Sequence, residues 1–341
     1  MVLSCSPASF PYAQGDTMNK LGWILGLGVV TLIIGSAIWL ASGESKVTPI
    51  RLGTSPWPGY EFLHLADRKG FFKEMGVPVQ LVRFNSLEDM RRAYERHQVD
   101  GFAATLIELL QAYEHGAPAK IIIITDFSNG ADVILARKEI GNVASLKNRK
   151  VGVEPATLGA FIIARALNKV GLTLEDVKME GLNSINMESA LLAGTVDAVH
   201  VYPPISLTIA KHEDQVRKIF DSSEIPGEIV DIVSLTPEIV ANRRKEVQGL
   251  RQAWDKAIAY AAANPEESNQ IMAGYEGISP QEFAEALKGL KILSLAEQES
   301  LIHNGKLEQT IEHVAEVLQK EGELKESVSP AIFIMDRENR P

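Results

Sequence analysis

Short apolar runs alternate with amphipathic stretches from about residue 50 to residue 236. Apolar runs of about five residues, bounded by glycine, proline or asparagine, are typical of buried strands. The stretches between them are longer, about ten to twelve residues, and carry the helical period. Strands that alternate with helices of this length predict βαβ units and a mostly parallel sheet. The predicted fold class is therefore α/β.

The alternating pattern occurs twice along the chain. Residues 50–105 run as strand, small-residue loop, helix, strand, helix and strand, and residues 151–203 repeat that order. An Asn-Ser pair opens the second helix of each copy, so Ser86 and Ser184 are predicted helix N-caps. Each copy of a repeated unit is expected to fold into the same arrangement of strands and helices. The sequence thus predicts two similar α/β lobes.

Two apolar stretches, residues 131–137 and 229–235, flank the second copy and are predicted to cross between the lobes. The second lobe is then inserted into the first. Lobe 1 comprises residues 46–137 and 227–341, and lobe 2 comprises residues 138–226. The C-terminal part of lobe 1 carries the helical period and capping boxes, so its helices are expected to pack on lobe 1.

The apolar run at residues 21–42 differs from the others because it contains no charged side chain and follows Lys20. About 20 apolar residues span the ~30 Å hydrocarbon core as a helix. Trp23 and Trp39 lie near its ends, as is typical at membrane interfaces. Cleaved signal peptides have shorter apolar regions, although small residues follow this run. Residues 1–43 therefore predict an export segment, either kept as an inner-membrane anchor or cleaved, which places the remainder in the periplasm.

Charge and composition exclude several functional classes. The 341 residues include 34 basic and 44 acidic side chains, and no basic stripe appears, which argues against nucleic-acid binding. Cys5 is the only cysteine and precedes the apolar run. The histidines lack metal-ligand spacing, and no phosphate-loop or nucleophile motif occurs. We expect a monomer with no metal, no cofactor and no catalytic residues.

Loops beyond the carboxyl ends of parallel strands are where open α/β sheets bind ligands. Two small-residue loops of this chain, residues 54–59 and 156–159, precede helices, so their free N–H groups could hold an acid group. Acidic and aromatic residues at the same ends of the strands, such as Asp126, Trp57 and Tyr202, suit an ammonium group. The predicted ligand site consists of Ser55, Trp57, Tyr60, Thr105, Asp126, Asn129, Glu154, Ala156, Thr157, Leu158, Tyr202 and Asp231.

The stretch LKNRKVGVEPATLG (146–159), followed by a helix and AGTVDAVHVYPP (193–204), is the most specific motif. Together with the order of the surrounding elements over about residues 47–330, it resembles the taurine/sulfonate/nitrate branch of ABC-transporter substrate-binding proteins. That branch includes binders of the thiamine-pyrimidine precursor. The resemblance implies a type II periplasmic-binding-protein fold, in which two lobes close on a small solute.

The resemblance also implies roles for single positions. Residues 156–158 and 55–57 look like holders of an acid group, and Asp231 looks like the position that meets an amine in taurine-type binders. Glu154 departs from the family pattern, which often has a neutral residue there.

The sequence therefore predicts an exported solute-binding protein for an ABC permease and its ATPase. The expected solute is a sulfonate, an amine or an amino-acid-like zwitterion, bound in the cleft between the lobes. Two alternatives stay open. One is a ligand-sensing domain that partners a membrane signalling protein. The other is an enzyme like the pyrimidine-precursor synthase relatives, whose cysteine-rich motif has no counterpart after Cys5.

Overall fold

A computed structural model describes residues 48–335, and residues 49–335 belong to one compact unit. The predicted export segment lies outside the described residues. Within residues 48–335, no helix has the length and apolar character needed to cross a bilayer. The strands are β1 (Ile50–Thr54), β2 (Val79–Arg83), β3 (Gly101–Thr105), β4 (Lys120–Ser128), β5 (Val133–Arg137), β6 (Lys150–Val153), β7 (Lys178–Gly181), β8 (Ala198–Val201), β9 (Val216–Asp221), β10 (Val230–Leu235) and β11 (Leu290–Ile292).

Helices connect these strands and follow the last of them. They are α1 (Glu61–Arg68), α2 (Phe71–Glu74), α3 (Leu87–Glu95), α4 (Leu106–Glu114), α5 (Leu158–Asn168), α6 (Met187–Leu192), α7 (Ile205–Ala210), α8 (Pro237–Asn242), α9 (Arg244–Ala263), α10 (Pro265–Glu276), α11 (Pro280–Leu287), α12 (Leu295–His303) and α13 (Lys306–Lys320).

The strands form two sheets built on the same plan. The first sheet has the order β11-β4-β10-β3-β1-β2, and the second has the order β7-β6-β8-β5-β9. When β11 is set aside, β4-β10-β3-β1-β2 corresponds strand for strand to β9-β5-β8-β6-β7. The predicted α/β fold with an internal duplication is confirmed. We call the parts built on the two sheets the first lobe and the second lobe.

One antiparallel strand in each sheet comes from the segment that crosses between the lobes. Strand β10 runs antiparallel to β3 and β4, and β5 runs antiparallel to β8 and β9. The sequence predicts that residues 131–137 belong to lobe 1, and the strand pairing contradicts this prediction. Val133 pairs with Val201 of β8 and with Asp221 of β9, so β5 belongs to the second sheet. The chain therefore crosses before Val133, and it returns between Asp221 and Val230.

The predicted helix caps are mostly confirmed. The Ser86 side chain accepts the Asp89 N–H at 3.1 Å and caps α3. Capping boxes form at Ser279 before α11 and at Ser294 before α12. The prediction for Ser184 is wrong by one position, because the Asn183 side chain accepts the Ile185 N–H at 3.2 Å.

The C-terminal helices pack on the first sheet, as predicted. Trp254 of α9 is fully buried and packs against Phe62 of α1, with ring centroids 5.7 Å apart. Its indole N–H donates to the Leu293 carbonyl at 3.1 Å. Leu250 of α9 lies in the same buried cluster as Leu52 of β1. This packing supports β1, the strand that precedes the loop of residues 55–60.

Gly249 of α9 allows close contact with the chain before β2. A Cβ atom at this position would lie 2.3 Å from Val77 Cγ2 and 2.9 Å from the Met75 carbonyl oxygen. Gly274 of α10 is also helical, but a Cβ there would meet no atom within 4 Å. We predict that Gly249→Ala lowers the free energy of unfolding by about 1–3 kcal/mol through overpacking. Equilibrium urea unfolding would measure this change.

Gly274→Ala is the matched control, and we expect it to leave the free energy of unfolding unchanged or to raise it by about 0.5–1 kcal/mol through helix propensity. Equal effects of the two substitutions would contradict the packing argument.

Candidate functional site

Three polar residues on neighbouring strands of the first sheet lie side by side. Asp231 of β10 is in register with Thr105 of β3 on one side and with Asp126 of β4 on the other. All three side chains are buried. Thr105 and Asp126 follow apolar runs, so the carboxyl ends of β3 and β4 meet the start of the returning strand β10. The two carboxyl groups thus lie at the edge that was predicted to bind a ligand.

The loop after β1 closes over these acids. Tyr60 lies at the start of α1 and donates its hydroxyl to Asp231 Oδ1. Trp57 donates its indole N–H to both carboxyl oxygens of Asp126, at 3.3 Å each. A Cβ atom at Gly59 would collide with the Asp126 carboxyl group, so glycine permits this approach. The loop therefore holds two aromatic rings beside the two acids.

The second lobe faces this loop with Tyr202 and the N-terminus of α5. The rings of Trp57 and Tyr202 meet edge to face, with centroids 5.8 Å apart. The Tyr202 hydroxyl donates to Glu154 Oε2 at 3.5 Å. Leu158, the first residue of α5, lies on the same side. The contact between Trp57 and Tyr202 therefore joins the two lobes at the loop after β1.

Residues from both lobes enclose a narrow cavity of about 10 Å³, the scale of one water molecule. Drug-sized ligands occupy pockets of about 300–1,000 Å³. The structure therefore has a closed cleft. Its lining consists of Ser55, Pro56, Trp57, Tyr60, Leu87, Thr105, Asp132, Leu158, Tyr202 and Asp231.

The structure places the sequence-predicted residues in three groups. Ser55, Trp57, Tyr60, Thr105, Leu158, Tyr202 and Asp231 line the cavity. Asp126, Glu154 and Thr157 are buried just behind that lining, where Thr157 caps α5 by accepting the Gly159 N–H at 3.4 Å.

Ala156 and Asn129 do not line the cavity. Ala156 forms the turn before α5 with a φ of +51°. Asn129 is exposed and lines two outer grooves of about 340 and 720 Å³.

Two buried acids of the site were not predicted from the sequence. Asp132 lies just before β5, lines the cavity and bonds to His200 Nε2 at 3.2 Å. Glu108 lies in α4, where its carboxylate accepts the N–H and the hydroxyl of Thr105. Thr105-x-x-Glu108 is a capping box, a pattern by which the sequence itself marks Glu108. Asp132 has no such local signal.

Burial raises the pKa values of two acids at the site. Burial raises the pKa of Asp126 to about 7, against opposing hydrogen bonds from Thr125 and Trp57, and the Asp132 charge adds to the shift. Burial, followed by the Asp126 charge, raises the pKa of Asp231 well above its usual range. Desolvation disfavours an ionised carboxyl group unless a cation compensates it. The closed cleft therefore holds acids that gain from a positive partner.

Comparisons with known proteins identify the class of fold. Residues 57–268 match the sequence model of the NMT1/THI5-like family. A Brucella abortus (strain 2308) protein named "Putative binding protein" is 24% identical over 291 residues, which are 84% of this chain and 90% of that protein.

Two solved structures of bacterial binding proteins share the fold. The periplasmic aliphatic sulphonate-binding protein SsuA of Escherichia coli superposes with a TM-score of 0.72 at 19% identity, over 87% of this chain and all of that one. The periplasmic nitrate-binding protein NrtA of Synechocystis PCC 6803 gives a TM-score of 0.68 at 16% identity, over 86% and 87%. These matches confirm the predicted periplasmic-binding-protein fold.

The raised pKa of Asp126 predicts a pH-dependent stability. Between its unfolded pKa near 3.8 and its folded pKa of about 7, the unfolded chain releases the proton while the folded chain keeps it. The stability contributed by this group is therefore complete at low pH and is lost as the pH rises through 7. We predict that Asp126→Asn raises Tm by a few degrees at pH 8 and by much less at pH 4.5. Thermal unfolding across this pH range would measure the difference.

Asp231, Asp132, Glu108 and Tyr60 surround Asp126 and are present in both proteins, so the comparison uses the difference between variant and wild type. Glu326→Gln at an exposed position is the control and should show no pH-dependent difference. A constant offset between Asp126→Asn and wild type at all pH values would refute the assignment.

Proposed function

The chain belongs to the NMT1/THI5-like family, and we propose that it is an exported solute-binding protein that captures a small organic solute between its two lobes for an ABC importer. The observation that carries this proposal is the cavity itself. Side chains of both lobes line it, and they combine aromatic walls with buried acids. Sites for small molecules have this composition, mostly apolar with a few placed polar groups.

The closed cleft must open to admit a solute. A cavity of about 10 Å³ is too small for any organic molecule. The two chain segments that cross between the lobes, residues 129–132 and 222–229, are the connections about which the lobes would rotate. Hinge closure around a ligand uses a few residues at the ends of elements. The proposed cycle is opening, capture, closure and delivery to a permease.

The N-terminal segment supports an extracytoplasmic location. Residues 21–42 carry no charge and are long enough to span a bilayer. The structural relatives named above are periplasmic by title. We propose that this segment tethers the protein to the inner membrane, with the two lobes on the outer side.

We predict that replacing Trp57 by alanine weakens solute binding at least tenfold, about 1.4 kcal/mol, because the indole forms a wall of the cavity and orients Asp126. Native mass spectrometry of freshly purified protein would identify a retained solute. Calorimetry with that solute, or with a panel of amines, zwitterions and sulfonates, would compare the wild type with Trp57→Ala.

Glu326→Gln is the control variant and should bind like the wild type. The proposal fails if the wild type retains no solute and no panel member binds below ~1 mM or raises Tm by the mass-action increment.

The proposed membrane anchor at residues 21–42 leads to a separate prediction. N-terminal sequencing of the exported protein is expected to find the segment that contains residues 21–42 intact. A mature protein that starts after Ser42 would show that the segment is a cleaved signal and that the receptor diffuses freely.

A further inference from the structure

Helix α5 of the second lobe already has an acid group at its N-terminus. The N–H of Leu158, its first residue, donates to Glu108 Oε1 at 2.8 Å. Glu108 belongs to α4 of the first lobe and is fully buried. Its other oxygen accepts the N–H and the hydroxyl of Thr105. All of these contacts use Glu108 as an acceptor, which is the pattern of a carboxylate, and they oppose the rise in the Glu108 pKa that burial causes.

The second lobe provides a carboxyl group to the first lobe in the same way. Glu154 lies just before α5, and its Oε1 accepts the N–H of Glu88 at 3.2 Å. Glu88 is in the first turn of α3. Free N–H groups and the helix dipole make such N-termini favourable for anions. Each lobe thus places a carboxyl group on a helix N-terminus of the other.

Other acids in the cavity have oxygen atoms without a partner. Asp132 Oδ2 is buried and forms no hydrogen bond, Asp231 Oδ2 has no partner apart from the neighbouring Asp126 carboxyl group, and both residues line the cavity. The residues that line the cavity, all within the described part of the chain, include no lysine or arginine. The rings of Trp57, Tyr60 and Tyr202 form much of its wall. Aromatic faces and unpaired carboxyl oxygens both attract an organic cation.

We infer that the solute is a small organic cation without an acid group, and that Glu108 sets this specificity because it occupies the helix N-terminus that would otherwise hold one. The inference rests on the proposed function, since it names the solute class of that same cleft. An acid group on the solute would meet Asp132 and Asp231 in the lining of the cavity, and three further buried carboxyl groups lie behind that lining: Asp126, Glu108 and Glu154. A positive charge would compensate them.

An organic cation fits this site better than a metal ion. Within residues 48–335, no group of three or more His, Cys, Asp or Glu side chains is placed to hold a metal. Asp126 and Asp231 lie side by side, and each already accepts a hydrogen bond from an aromatic side chain, Trp57 or Tyr60. An ammonium or amidinium group can donate to the free oxygens while its carbon atoms contact the rings.

The first experiment tests whether Glu108 excludes anions. Ethanesulfonate and phenylmethanesulfonate are titrated by calorimetry into the full-length chain in mild detergent, as wild type, Glu108→Ala and Glu108→Gln. We expect the wild type to bind neither compound and Glu108→Ala to bind at least one of them at least tenfold more tightly than the wild type. Glu108→Gln keeps the side-chain volume without the charge. It tests whether the Glu108 charge excludes anions even if the alanine variant does not fold.

Two results would overturn the role of Glu108. One is sulfonate binding by the wild type as tight as by the variants. The other is no sulfonate binding by any of the folded variants. Glu326→Gln serves as the charge control, since it removes one exposed acid that does not line the cavity and should behave as the wild type.

The second experiment tests the solute class with matched compounds on two frames: ethanolamine against taurine and ethanesulfonate, and benzylamine against 4-(aminomethyl)benzenesulfonate and phenylmethanesulfonate. We expect the amine of at least one set to bind the wild type at least tenfold more tightly than its zwitterion, and Asp231→Asn to lose that preference. Tighter binding of a zwitterion or an anion would overturn the inference and leave the proposed function intact.

A retained solute gives a third readout. Its mass and composition show directly whether it carries an acid group, and a carboxylate, sulfonate or phosphate would overturn the inference. A wild type that retains no solute and binds no compound of any class would instead count against the proposed function, while the sulfonate titrations of the Glu108 variants still decide the role of Glu108.

Discussion

Five buried carboxyl groups lie in or behind the lining of the cavity between the lobes, and the closed form depends on how their charge is compensated. A buried, unpaired carboxylate costs several kcal/mol. The chain lowers this cost with neutral donors instead of cations. Tyr60 donates to Asp231, Trp57 donates to Asp126, and backbone N–H groups at helix N-termini donate to Glu108 and Glu154. Burial also raises the pKa of Asp126 to about 7, so a proton can replace a cation there.

Strands β5 and β10, which follow the two crossings between the lobes, explain why two of the buried acids lie beside the connecting segments. Strand β10 returns from the second lobe and carries Asp231 at its start, next to Asp126. Strand β5 enters the second sheet, and Asp132 directly precedes it. Both acids therefore lie beside the segments that connect the lobes. Rotation of the lobes would change the separation of these charges, so closure and charge compensation are coupled through the same residues.

The sequence predicted the local features of this arrangement well and the long-range ones poorly. Strand and helix periods, the duplication and the loop that carries Trp57 depend on neighbouring residues, and seven predicted residues line the cavity. The sheet to which β5 belongs depends on its partners β8 and β9, which are more than 60 residues away. Asp132 enters the site for the same reason. The prediction of Ser184 as a helix N-cap failed for a different, local reason, because Asn183 beside it is an equally good N-cap residue.

Helix α5 shows why proteins that share this fold need not bind the same class of ligand. Structures with titles that name sulfonate or nitrate binding share this fold, yet a shared fold at such low identity does not define the ligand. A helix N-terminus attracts whichever anion reaches it, and in this chain Glu108 reaches it from the other lobe. The same bond that joins the lobes therefore takes the position an acidic solute would need. Closure and selectivity follow from one carboxylate, because an anion can bind there only by displacing the contact that helps to hold the cleft shut.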